Sequence, residues 1–491
     1  MSSPKNIVLI NPLNSPAFAR IECTFASLPP IASLPLLACE TERRAACSCK
    51  SVLNIRVLDR PRVDQALLTD IAKADILGLS TWFSNYENAI AIAKAVKALN
   101  PAVAVVLGGP NAANLGSRIL MNRPYVDYVV VGDGEDVLWR LAEGQPLPET
   151  PNLWYRDGQG MSKFTYSKEI DLNEIAPFDF RHVVGLDLSQ YDSRKPGYTC
   201  SPSDLPISLV WIRGCPRAVS HGRCGYCSIP DKSLRYVNPE NAWAQVEALR
   251  RQYGLVSFFE GGDDFACGDF AEKLAASAKR VEGIRLRGYC GLWRLTESKM
   301  AAFRQIGLSE VFVGLETTNP EINSWSGHIV TRDLVLTAFS RLQEHGIGVC
   351  MPLIFGLPNE SAASLHDSES LAYELVERFD NIRMVLVSLA VPLIGSTWFS
   401  ELMDDPFVRS RYEQGDLKTT DTPDYTHLSE LSIQRRCLVT PTEIMDTIHR
   451  IRTRLADRVT VGCFGALDSQ VTEHRNIQKR TTSTTAVTEV P

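Results

Sequence analysis

Residues 207–227 read ISLVWIRGCPRAVSHGRCGYC. A short apolar run, Ile207 to Ile212, stops at Arg213-Gly214-Cys215-Pro216 and is followed by Cys224-Gly225-Tyr226-Cys227. The run has the length of a buried strand, and the glycine and proline behind it mark its end. Three thiols on one loop at a strand's C-terminal end have metal-ligand character. The residues alone leave two readings open. Zinc wants four closed ligands, and His221 in the same loop could supply the fourth. An iron–sulfur cube held by only three cysteines keeps one iron open to a further ligand.

Downstream, apolar runs at Ile207–Ile212, Val256–Glu260, Ile284–Tyr289, Val311–Glu316, Gly348–Phe355 and Ile382–Ala390 alternate with helical segments. One of these, Pro239–Tyr253, places Trp243, Val246 and Leu249 on a single face. Six strand–helix units in a row predict a partial (β/α)6 barrel over residues 201–398, with its active site at the strands' C-terminal ends. A small, mostly helical cap is expected over 399–479, shaping the substrate region, and a disordered Thr-rich tail over 480–491. Upstream, residues 1–143 alternate in the same way. Strands are expected at Asn6–Asn11, Leu53–Asp59, Asp75–Thr81, Ala102–Gly109 and Asp127–Gly132, which predicts a doubly wound, Rossmann-like α/β domain. Three of these strands end in small residues, where a parallel sheet binds its ligands and glycine admits a bulky one. Residues 144–200 are rich in proline, with one hairpin around Trp154–Gly160, and read as an interdomain linker.

Composition limits the function classes. The chain has 491 residues, 44% hydrophobic and 22% charged, which fits a multidomain globular protein and excludes a disordered one. With 51 basic against 57 acidic residues the net charge is −6, so bulk electrostatics make no case for nucleic acid. No stretch approaches the ~20 apolar residues of a membrane helix, and no signal peptide is legible, so a cytoplasmic protein is expected. Thirteen cysteines, an odd number in a long chain, argue for reduced thiols. Cys47 and Cys49 read as exposed spectators, and Cys200, Cys267, Cys290 and Cys350 as small packing residues.

Arg-Gly-Cys-Pro followed by Cys-x-aromatic-Cys resembles the cluster loop of radical SAM enzymes. There the three cysteines, here Cys215, Cys224 and Cys227, hold a [4Fe–4S] cluster whose open iron chelates S-adenosylmethionine (SAM). The usual first gap is three residues; here it is eight, which alters the path of the loop. Glu260-Gly261-Gly262-Asp263-Asp264-Phe265 is similar to the second-strand segment that holds the methionine amino group, Val311 to Glu316 to the fourth-strand segment whose Glu contacts SAM, and Ile354 to Pro358, with Glu360, to the segment against adenine. The resemblance thus implies Tyr226, Gly261, Gly262, Asp263, Glu316, Ile354 and Gly356 as SAM-binding. Arg287 and Arg294 are candidates to pair a SAM or substrate carboxylate, a surface salt bridge being the competing role.

The N-terminal half resembles the cobalamin-binding domain that precedes the barrel in one branch of that superfamily, so that the likeness spans roughly residues 5 to 400. The matching segments are Leu77 to Thr81, Leu107 to Pro110 and Val130 to Glu135, implying Ser80, Thr81, Trp82, Gly108, Gly109, Pro110, Gly132, Gly134 and Glu135 as cobalamin-binding. An Asp-x-His-x-x-Gly motif is absent, and the first histidine in the chain is His182. A bulky Trp82 beneath the corrin would keep water off cobalt, the competing role being core packing.

The resemblance implies a cobalamin-dependent radical SAM C-methyltransferase, working through methylcobalamin and a 5′-deoxyadenosyl radical on an unactivated carbon. The expected substrate is a small-molecule or peptide precursor of a natural product, and the expected electron source a reduced flavodoxin- or ferredoxin-type protein, with neither nucleic acid nor membrane as partner. Two alternatives belong to other classes: a radical SAM cyclase or rearrangement enzyme using cobalamin without methyl transfer, and a non-enzymatic zinc- or cobalamin-binding sensor.

Overall fold

The structure, a computed structural model, describes residues 4–15, 32–48, 52–186, 206–231, 233–414 and 421–464. Cys49, Cys200 and the tail from 480 onward lie outside the described residues. The N-terminal sheet contains β1 (Lys5–Asn11), β2 (Leu53–Asp59), β3 (Ile76–Ser80), β4 (Ala104–Gly108), β5 (Tyr128–Val130), β6 (Leu153–Arg156) and β7 (Ser162–Phe164), in the order β2-β1-β3-β4-β5-β6-β7. The first five strands are parallel. Both faces are buried, because alternate side chains of each strand feed different cores. Val8, Ile10, Leu77, Leu79, Val105 and Leu107 pack with the helix Tyr86–Leu99, whereas Ile7, Leu9, Ile55, Val57, Ile76 and Val106 pack with Leu34 and Ala38 of the helix Ser33–Ser48.

The expected linker hairpin is β6–β7, and it extends this sheet instead of merely crossing the surface. It adds antiparallel to β5, with Trp154 opposite Val129 and its ring 5.3 Å from that of Phe164 at a tilt of 42°. The Arg156 guanidinium holds it there by donating to the carbonyls of Leu120, Arg123 and Val126.

The second sheet is parallel throughout. It runs through β8 (Pro206–Leu209), β11 (Ser257–Glu260), β12 (Arg285–Cys290), β13 (Leu308–Val313), β14 (Gly348–Phe355), β15 (Ile382–Leu389) and β16 (Thr460–Phe464) in that spatial order. A two-stranded antiparallel pair, β9 (Ile212–Arg213) with β10 (Arg235–Tyr236), sits beside it. The helix Pro239–Tyr253 shows how the sequence builds one unit. Asn238 caps its first turn, Gly254 ends it at φ 69°, and Ala242, Trp243, Val246 and Leu249 are buried against the sheet. The barrel gains a strand beyond the expected six. β16 follows the helix Pro441–Leu455, capped by a Thr440/Glu443 box, and pairs in parallel with β15, so the C-terminal region supplies a strand–helix unit as well as a cap. Among the described residues no helix is long and apolar enough to cross a membrane.

Candidate functional site

The cysteine loop is fixed by one buried carboxyl group. Glu260, at the end of β11, accepts hydrogen bonds from the backbone N–H groups of Trp211 (3.1 Å), Ile212 (3.3 Å) and Gly262 (2.9 Å). It ties the approach to the cysteines to the Gly-Gly-Asp turn. Burial pushes its pKa up to about 8, and those three donors pull it only part of the way back. The two segments touch so closely that a Cβ on Gly262 would fall 2.6 Å from Ile212 Cβ. Cys215 then opens the short helix Pro216–Ser220, and a turn closed by Cys227 N–H to Cys224 O (2.9 Å) carries the other two thiols. Gly225 N–H donates to Ser326 O and Gly225 O accepts from Trp398 N–H, both at 2.9 Å.

All three thiols are free and half-buried. Burial raises Cys215 and pushes Cys227 up to about 11, and the neighbouring cysteines add to both shifts. Left to themselves these thiols keep their protons, so a metal bound here would have to displace them. Yet no three His, Cys, Asp or Glu side chains among the described residues converge on a single point, and exposed His221 binds Ser220 Oγ instead (2.6 Å). Among the described residues, then, no four side chains close on one point as a structural zinc site requires. A cube, which offers each thiolate a different iron, fits thiols that are neighbours without converging.

Around the loop the barrel brings together most of the expected SAM residues. Tyr226 and Ile354 pack in one apolar cluster with Leu357 and Trp398. Gly356, at φ 85°, donates its N–H to Glu360 (3.3 Å). Glu316, at φ 49°, has Oε2 2.8 Å from His328 Nε2, while His328 Nδ1 lies 3.6 Å from Cys224 Sγ. Burial pulls the His328 pKa down, but Glu316 and then Cys224 outweigh it and push it up to about 11. His328 has no signal in the sequence, since it lies in a loop well beyond its strand. Asp263 is half-buried, and burial, then Asp231 and Asp264, push it up to about 6. Neither candidate arginine is free for a carboxylate ligand. Arg294 pairs with Asp264 (2.7 Å), and Arg287 is buried with Nη1 on Ser257 Oγ (2.7 Å).

At the C-terminal ends of β1, β3, β4 and β5 lies a cavity of about 370 Å³. Ser80, Trp82, Gly108, Gly109, Pro110, Gly132, Gly134 and Glu135 line it. Thr81 does not: its hydroxyl donates to Gly108 O (2.8 Å) and accepts from Ala112 N–H (3.0 Å), locking two loops together. That lock explains Gly109, whose φ is 92° and whose Cβ would fall 2.6 Å from Thr81 O. Trp82 is 47% exposed within the lining, so it is not a core residue. The wall suits a corrin with amide arms, because Glu135 Oε2 is buried without a hydrogen-bond partner and can accept from an amide N–H. Its other oxygen is taken by Arg213, which also binds Asp133, and Arg235 closes the group on Asp133. Arg213, Pro230 and Asp231 belong to the barrel yet line the same cavity. Arg213 stands two residues before Cys215, so the two candidate cofactor sites share a wall.

Fold and site define a protein that joins a B12-binding domain to a radical SAM domain. The radical SAM superfamily is matched over residues 209–372 and the B12 binding domain over residues 51–142. SAM, a [4Fe–4S] cluster and cobalamin are the cofactors this pairing implies. The chain is similar to an uncharacterized methyltransferase of Pyrococcus horikoshii, 22% identical over 70% of this chain and 73% of that one. It is also similar to the 2-(S-pantetheinyl)-carbapenam-3-carboxylate methyltransferase of Streptantibioticus cattleyicolor, 25% identical over 69% of this chain, spanning half the length of that relative. Among solved structures, the radical SAM methyltransferase TsrM of Kitasatospora setae shares the fold, with a TM-score of 0.61 at 17% identity over 82% of this chain and 76% of that one.

Proposed function

We propose that this chain is a cobalamin-dependent radical SAM methyltransferase that methylates an unactivated carbon of a small-molecule or peptide precursor. The observation that carries the reading is the shared wall, with Arg213 and Asp231 of the barrel lining the cavity at the ends of the N-terminal strands. In this reading residues 1–143 hold cobalamin, 201–398 hold the cluster and SAM, and 399–479 shape the substrate pocket. When bound, the cluster with SAM supplies a hydrogen-abstracting radical and cobalamin supplies the transferable methyl group.

The chain's own residues orient and shield. Cys215, Cys224 and Cys227 bind the cluster, and Gly261, Gly262 and Asp263 with Glu316 position the methionine end of SAM. Tyr226, Ile354 and Gly356 border its adenosine. Glu135 would accept from an amide of the corrin periphery, and Trp82, in the lining of the same cavity, would help to exclude water. Arg213, held by Asp133 and Glu135, keeps the two sites in register, which proximity catalysis demands. A flavodoxin- or ferredoxin-type protein delivers the electron. A reducing cytoplasm suits the free thiols of the cluster loop.

Anaerobic reconstitution with iron, sulfide and hydroxocobalamin, followed by reductant and methyl-labelled SAM, tests this reading. Label on the bound corrinoid together with 5′-deoxyadenosine is expected. Cobalamin binding and 5′-deoxyadenosine without label on the corrinoid would replace it with a cyclase or rearrangement.

A further inference from the structure

The cysteine loop does not end at its third thiol. From Cys227 it runs through Ser228 and Ile229 to Pro230 and Asp231, which line the cavity at the ends of the N-terminal strands, so five residues join a thiol to the wall of the other candidate cofactor site. At the middle of this bridge the Asn114 side-chain amide donates from Nδ2 to Ser228 O (2.8 Å). Asn114 belongs to the N-terminal domain. It lies in the helix Pro110–Leu115, whose Pro110 and Ala113 line the cavity and whose Ala112 N–H is locked onto Thr81 Oγ1. On the barrel side a glycine makes room for it: Gly395, at φ 90°, has its Cβ position only 2.5 to 2.8 Å from the Asn114 amide atoms.

Ser228 O and Ile229 N–H are two edges of one planar peptide unit, so a donor that fixes the carbonyl also fixes the N–H. That N–H faces the Cys227 thiol and favours its thiolate form, against the burial that pushes the thiol up to about 11. The other two thiols have their polar neighbours inside the barrel domain. N–H groups of Arg217 and Ala218 face Cys215, and His328 Nδ1 lies 3.6 Å from Cys224 Sγ. Cys227 differs in that its donor peptide is held by a residue of the other domain.

We propose that Asn114 is a positioning residue for the cluster: it aims the Ile229 N–H at Cys227 by holding the Ser228–Ile229 peptide, and through the helix Pro110–Leu115 it makes the cluster's reduction potential depend on whether the corrin cavity is filled. The inference rests on the reading of Cys215, Cys224 and Cys227 as cluster ligands and of the cavity as the cobalamin site. Hydrogen bonds to a ligating sulfur stabilise the more negative, reduced cluster and raise its potential. The bond from Asn114 to the carbonyl polarises the peptide and strengthens its N–H as a donor. An occupant of the cavity packs on Pro110 and Ala113 and braces the helix that carries Asn114. Such coupling is reciprocal, so cobalamin binds the reduced-cluster form more tightly by the same factor by which it favours reduction.

The test uses the full chain reconstituted with iron and sulfide, with and without hydroxocobalamin, in a redox titration that follows the reduced cluster by electron paramagnetic resonance. Asn114→Leu removes the donor at similar volume, and Gly395→Ala pushes the amide aside from the barrel face while leaving Asn114 in the sequence. In the wild type, cobalamin is expected to raise the midpoint potential. In both variants the potential should fall by about threefold in the reduction equilibrium, about 28 mV for one electron at about 59 mV per tenfold, and lose its response to cobalamin. Iron and sulfide content should stay at the wild-type level, which a loss of folding would not allow. Equal potentials in wild type and both variants with the cluster intact, or a wild-type potential that ignores bound cobalamin, would overturn this role of Asn114 alone. Failure of the wild-type chain to hold a cluster would overturn the ligand reading, failure to bind cobalamin the reading of the cavity, and either would take the proposal with it.

Discussion

Glu260 shows how much of the site rests on a residue that touches no cofactor. Its two oxygens satisfy three backbone donors in the buried join between the cysteine loop and the Gly-Gly-Asp turn. Glu260→Gln sets an amide N–H₂ against at least one of those donors, and is expected to cost about 1–3 kcal/mol and to weaken SAM binding while the cysteines still hold the cluster. Denaturant titration and SAM titration would show both. The carboxyl also sets a pH dependence. Its pKa is raised from 4.5 unfolded to about 8 folded, so between those values the folded chain keeps a proton that the unfolded chain has released. Stability from this group is therefore full below about pH 4.5 and is lost as pH rises through 8, and the slope of denaturation midpoint against pH should flatten in Glu260→Gln. The cysteines give a cleaner expectation. Cys215→Ala, Cys224→Ala or Cys227→Ala should each abolish cluster iron and SAM cleavage, and any variant retaining both would remove that residue from the ligand set.

Loops and strand ends decide whether these residues meet. Gly109 sits where the loop after β4 crosses the one after β3, with its Cβ position blocked by Thr81 O and N at 2.6 and 2.9 Å and its φ at 92°. Gly109→Ala is therefore expected to force these loops apart, weaken cobalamin binding at least tenfold and leave the barrel cluster intact; unchanged corrinoid affinity in a titration would refute the crossing as a binding element. Elements of this kind were partly legible. The run at Gly348–Phe355 coincides with β14 because a strand buried on both faces is a continuous apolar run, whereas Leu53–Asp59 coincides with the edge strand β2, where polar Asn54 and Arg56 alternate with apolar Leu53, Ile55 and Val57. β16 was not legible as a barrel strand, since Thr460–Phe464 is short and its partner, β15, lies far back in the chain. Pairing at that separation leaves no local periodicity. The same holds for His328 and for Arg213, whose meaning comes from Glu316 and from Glu135 across the domain boundary. Thr81 misled for a different reason: it sits at a ligand-binding strand end but turns its hydroxyl to the backbone.

At the scale of the whole molecule, two buried charge groups join the domains. Arg213 and Arg235 of the barrel meet Asp133 and Glu135 of the N-terminal domain on one side of the cavity. Asp421, fully buried in the C-terminal region, accepts from Tyr86 Oη (2.6 Å), Asn122 Nδ2 (2.9 Å) and Arg123 Nε (2.6 Å). Asp421→Ala leaves Arg123 without its carboxylate and is expected to cost about 3–5 kcal/mol, read as a lower urea midpoint and faster proteolysis between the domains. These contacts make the central claim a geometric one, that a single chain presents a cluster and cobalamin to a common space. The most direct test is to reconstitute the purified chain anaerobically, count iron, sulfide and cobalamin, and record the electron paramagnetic resonance spectrum with both centres in their paramagnetic states. About four irons and one cobalamin per chain, with the two signals broadening one another, is the predicted result. A colourless protein with one zinc and no corrinoid, or two centres whose spectra simply add, would contradict it.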